Sequence, residues 1–95
     1  MMQSHLSFLP GVARWSAEHQ GMEFMASANG CSFRFVITDD ALATLSGTPS
    51  RGPEYDFDTF FECEAAVHRA AAAVFQIASP ARRQLLITAH DLPPN

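Results

Sequence analysis

The sequence predicts an α+β domain of two layers: an antiparallel sheet of about four strands, in the order β-β-β-α-α-β, with one face covered by a long helix. Three observations predict it. Asn29-Gly30 is a strong hairpin signal, because both central positions of a type I′ turn need φ > 0. Folding the chain on that turn sets Ala28 opposite Cys31, Ala26 opposite Phe33, Phe24 opposite Phe35 and Met22 opposite Ile37. All four pairs are apolar and share one face, since side chains alternate along a strand. Farther on, Phe57, Phe60, Val67, Ala71, Val74 and Ala78 recur at helical spacing, as a helix lying on such a face requires.

Residues 1–11 read as a loose N-terminal lead ending at Pro10-Gly11. Val12 to Ala17 reads as the first strand. With a turn at Glu18–Gly21, Ala17 faces Met22, Trp15 faces Phe24, Ala13 faces Ala26 and Arg14 sits opposite Met25. The second face of the hairpin then carries Ser27 with Ser32, Met25 with Arg34, and Glu23 with Val36. Thr38-Asp39-Asp40 supplies N-cap oxygens for a short helix through Ala41, Leu42 and Leu45, which Gly47 stops. Residues 48–56 hold two prolines and a glycine and read as a loop. The long helix is expected to start near Asp58 or Thr59, where Thr59 and Glu62 have capping-box spacing. Phe61 and Phe75 broaden its stripe, and Ser79-Pro80 ends it. Gln84 to Thr88 is the last strand and 93–95 a tail. The expected core joins Phe24, Phe33, Phe35, Val67, Ala71 and Phe75, with Trp15 beside them.

A length of 95 residues fits a single domain spanning 1–95. Apolar residues make up 47% and charged residues 17%, a globular balance. Six arginines against ten carboxylates give −4, which argues against nucleic acid as a partner. Lysine is absent, which excludes Schiff-base chemistry and the phosphate loop that depends on lysine. Cys31 and Cys63 fall on apolar faces and read as small buried hydrophobes in a reducing, cytoplasmic setting. The start has neither a basic region nor a long apolar run, so no signal peptide is expected. No stretch reaches the ~20 apolar residues of a membrane span, so no membrane is expected either.

Trp15-Ser16-Ala17, the run Phe35 to Leu42, the helix positions Phe60, Val67, Ala71 and Phe75, and the run Leu86 to Leu92 together form a pattern. In these residues the chain resembles the DUF1488 family of small bacterial proteins, over about residues 15–92. That family ends in a similar Leu-Thr-x-x-Asp-Phe pattern, with Leu92 standing here for the phenylalanine. Glu64 stands where the family often carries an arginine, so an anion-binding role for that arginine does not carry over. The resemblance implies a two-layer α+β domain of unknown function and assigns no chemistry.

The sequence's chemistry-bearing residues have structural explanations. Cys63, Glu64 and His68, with His90-Asp91, form the best metal-ligand cluster, yet no short ligand spacing supports it. A polar helix face with an i,i+4 pair explains Glu64 and His68. Cys63 lies one turn into the expected helix, but Glu62 and Glu64 beside it oppose a thiolate. Asp39-Asp40, Asp56 with Asp58, and Glu62 with Glu64 sit at expected helix starts, where the macrodipole favours negative charge. Asp91 fits a turn cap. No catalytic residue, cofactor or metal is expected, and no specific role for His68 or His90.

One surface is left over. Arg14, Met25 and Arg34 form a row across three strands on the uncovered face, with Glu23 placed for ion pairing. A solvated sheet face explains the row without a function. As an interface, it suits a small non-enzymatic binding or regulatory domain whose partner is another protein or a second copy. The alternative is a small-molecule, anion or nucleic-acid-linked module that uses Arg14 and Arg34.

Overall fold

The computed structural model describes residues 6–9, 11–49, 51–78 and 82–92. The elements run β1 (Ser7–Phe8), β2 (Arg14–Ser16), β3 (Gly21–Ala28), β4 (Cys31–Thr38), α1 (Asp39–Ser46), α2 (Pro53–Glu62), α3 (Glu64–Ile77) and β5 (Gln84–Ile87), then a 3₁₀ turn at Ala89–Asp91. The α+β class holds, with a mixed sheet of five strands and three helices on one face.

The β3–β4 hairpin has the expected register, from Gly21 opposite Thr38 to Ala28 opposite Cys31. Asn29 and Gly30 adopt φ of 54° and 78°, as a type I′ turn requires. Thr38 Oγ1 accepts the Ala41 N–H at 3.2 Å, and Gly47 ends α1 in the left-handed region at φ 75°.

Five features differ from the expectation. The lead is not loose throughout: β1 pairs antiparallel with β3, Phe8 opposite Ala26. Trp15 meets Met22 rather than Phe24, and Arg14 meets Glu23 rather than Met25, a slip of two residues. The reason lies at Gly21. It is a strand residue, so close to β4 that a Cβ there would lie 2.2 Å from the Ile37 carbonyl oxygen. The turn therefore closes one residue earlier, over Ala17–Gln20, with Ser16 Oγ accepting the His19 N–H at 3.4 Å and Gln20 at φ 51°. A slip of two keeps every side chain on its expected face.

The loop assigned to 48–56 stops short, because α2 begins at Pro53, whose locked φ suits a first helical turn. Asp56 is therefore helical, and it is buried at 3% exposure. The long helix is two helices that break at Cys63 (φ −117°), so Thr59 and Glu62 lie inside α2 and form no cap at a helix start. Phe61 lies on the exposed side of α2. Last, β5 runs parallel to β4, Phe35 opposite Leu85 and Ile37 opposite Ile87. Its chain arrives through the helices, a crossover that permits parallel pairing.

The core lies between the helices and the inner face of the sheet. Phe24, Phe33, Phe35, Ile37, Phe60, Val67, Ala71 and Ile87 are buried there, with Trp15 and Phe75 packed against them. Phe24 stacks on Phe35 at 5.5 Å between ring centres and meets Phe60 at 5.3 Å. Phe33 meets Phe75 edge-on at 5.0 Å.

Candidate functional site

Among the described residues no helix packs on the outer face of the sheet, and the alternation of β3 and β4 decides what it shows. Glu23 stands beside Arg14 of β2, and Met25 beside Arg34 of β4. The Glu23 carboxylate lies between the two guanidinium groups. Its Oε2 accepts from Arg14 Nε at 2.9 Å, is 2.8 Å from the second Arg14 nitrogen, and is 3.6 Å from Arg34 Nε. The glutamate side chain is only 12% exposed, whereas those of Arg14 and Arg34 are 71% and 48% exposed. The three groups sum to one net positive charge, bordered by the part-exposed thioether of Met25. All four residues picked out in the sequence thus share one surface. Its centre is the glutamate, because the observed register puts Arg14 directly across from it.

The far end of this face is closed by the turn between β2 and β3. His19 Nε2 lies 2.9 Å from Gln84 Nε2, a contact that reaches past β3 and β4 to β5. Val36, on the outer face of β4 between these elements, is fully buried.

The cluster of Cys63, Glu64, His68, His90 and Asp91 is not one site. Glu64 and His68 are 3.9 Å apart and serve the N-terminal lead. Glu64 Oε2 accepts the Gly11 N–H at 3.0 Å, and the His68 ring stacks on Phe8 with centres 4.0 Å apart and planes 6° from parallel. Burial pushes the His68 pKa below its ordinary value, partly opposed by Glu64. The Cys63 thiol donates to the Thr59 carbonyl at 3.1 Å, and burial raises its pKa, the reverse of what a nucleophile needs. Asp91 closes the 3₁₀ turn: its Oδ2 accepts from both the N–H and the hydroxyl of Thr88 at 2.9 Å. Among the described residues no three potential ligands gather to hold a metal ion. Nor is any described helix long and apolar enough to cross a membrane.

A concave feature with no signal in the sequence lies elsewhere on the molecule. A cleft of about 230 Å³ lies along β5, lined by Val74 and Ile77 of α3, Leu85 and Leu86 of β5, and by Arg82 and Asp91. Its parts come from two stretches that the parallel crossover brings together.

No protein-family model matches the sequence, and a search of curated proteins finds no match. Among solved structures, the chain is similar to a crystal structure of a protein of unknown function from the DUF1488 family of Shewanella loihica PV-4. The match has a TM-score of 0.74 at 16% sequence identity and covers 92% of this chain and 96% of that one. At that identity the match shows the fold, and the chain has a DUF1488-like fold.

Proposed function

We propose that the chain is a small, non-enzymatic binding or regulatory domain that acts through protein contacts on the open face of its sheet. One observation carries the reading: Arg14 and Arg34 stand exposed beside Met25 while Glu23 holds both. Arginine stems flanking an apolar side chain are the composition of protein interfaces. The same geometry disfavours the anion-binding alternative, because the Glu23 carboxylate already occupies the point where the two guanidinium groups converge. The raised Cys63 pKa and the capping role of Asp91 support a non-enzymatic reading. We place the domain in the reducing cytoplasm, where Cys31 and Cys63 stay free thiols.

The double change Arg14→Ala with Arg34→Ala tests the proposal. Both side chains lie outside the core, so stability should move by less than about 1 kcal/mol in chemical denaturation. Proteins captured from the host extract by the wild-type chain should be lost from the variant. A double variant that keeps every captured partner and full activity in cells would end the proposal.

A further inference from the structure

We propose that the free edge of β5 is a self-association site, at which a second copy of this chain adds its own β5 antiparallel about a twofold axis through Leu86. This rests on the sheet edge and is independent of the Arg14–Arg34 face. Among the described residues, β5 is the last strand of the sheet and pairs with β4 alone. The Arg34 N–H donates to the Arg83 carbonyl at 2.8 Å, which sets the phase of the parallel ladder. In that phase the main-chain groups of Leu85 point at β4, and those of Gln84 and Leu86 point off the edge. Proteins usually blunt such an edge with proline, lysine or a bulge. Gln84–Ile87 contains no proline, charge or bulge, and its protection is its length of four residues and the arginines before it. Beside it Ile77 is 81% exposed and Leu86 37%, and both line the cleft along β5.

The charges indicate which strand belongs there. Arg82 precedes β5 and Asp91 follows it, and both line the same cleft. An antiparallel copy with Leu86 opposite the partner's Leu86 turns each Arg82, before β5, towards the end of the partner's strand that Asp91 follows. The edge is thus complementary to itself in charge as well as in hydrogen bonding. Leu86 exchanges both main-chain bonds with its mate. The Thr88 carbonyl already accepts the Asp91 N–H at 3.0 Å, so the seam rests on the two Leu86 bonds at the axis. Asp91 also holds the Thr88 N–H, so the ladder stops short of Thr88. So short a seam makes a weak dimer.

Sedimentation velocity of the full chain, from about 1 µM to about 1 mM, reads the association. Leu86→Pro removes the outward N–H and leaves the β4 ladder intact, since that N–H does not face β4. Leu86→Arg places two cations on the axis and keeps the backbone. Circular dichroism and thermal melting establish that each variant is folded, and Leu86→Arg decides if the proline variant is not. The expected results are a concentration-dependent dimer, at least about tenfold weaker in either variant, and a Leu86 amide whose hydrogen exchange slows with concentration. The proposal is overturned by a wild-type chain that stays monomeric throughout. It is also overturned if folded Leu86 variants associate like wild type, or if association is lost only in the Arg14→Ala, Arg34→Ala protein.

Discussion

Replacing Gly21 with alanine isolates the feature that sets the register of β2. The added Cβ would lie 2.2 Å from the Ile37 carbonyl oxygen, 2.8 Å from the Ile37 carbonyl carbon and 2.8 Å from the Thr38 Cα. All three are backbone atoms, so no rotamer change relieves the clash, and β3 must move away from β4 at its paired end. Inserting a methylene into a packed site costs about 1–3 kcal/mol, and an unyielding backbone puts this case at the upper end. Alanine returns about 0.4–1 kcal/mol by restricting the unfolded chain. The net loss is about 2 kcal/mol, which for a domain of this size lowers the melting temperature by roughly 8–16 °C. Urea unfolding followed by circular dichroism measures it. Were Gly21 a turn residue, with Ala17 facing Met22, alanine there would be nearly neutral. A Gly21→Ala protein as stable as wild type therefore refutes the close approach and the register built on it.

Two further outcomes follow from the core and the N-terminal strand. Phe35 is fully buried between Phe24 and Phe8, and Phe35→Ala should cost roughly 3–5 kcal/mol, leaving little cooperative unfolding to observe. His68 has a pKa below its ordinary value of 6.5, so the folded chain resists a proton that the unfolded chain accepts. This contribution to stability is complete above pH 6.5 and declines as the pH falls from there towards the folded-state pKa. Denaturation at pH 7.5 and 5.5 should show a smaller loss for His68→Phe than for wild type, with an NMR titration midpoint for His68 below 6.5; a midpoint above 6.5 contradicts the account.

What could be read from the sequence was whatever two independent signals shared. The β3–β4 register rests on turn chemistry and on alternation, and the two agree at each pair from Met22 to Ala28. The outer-face residues were legible for the same reason: parity assigns Arg14, Glu23, Met25 and Arg34 to one side in both the expected and the observed register of β2. Parity cannot choose between registers two residues apart, so the direct Arg14–Glu23 pairing stayed hidden until the packing of Gly21 was seen. A strand of two residues such as Ser7–Phe8 has no period to read. The stripe from Phe57 to Ala78 runs on through Cys63, so nothing in it marks two helices. Gly52-Pro53 did carry a helix-start signal, which proline and glycine equally give to loops. The direction of β5 has no local signature at all, and the cleft beside it depends on that direction.

The pairing of β5 with β4 has a kinetic consequence. Phe35 and Leu85 are neighbours in the sheet but 50 positions apart in the chain, with all three helices between them. The β3–β4 hairpin closes over two residues and can form in about 1–10 µs. β5 can find its place only after the intervening chain has condensed, because that long closure costs entropy before it gains contacts. During synthesis, and in any opening that releases β5, the seam of β4 that β5 normally occupies is bare, with the amide and carbonyl groups of Arg34 and Val36 turned outward. Chains caught at that stage can exchange their final strands, so domain swapping through β5 is the misassembly to which this topology is most exposed.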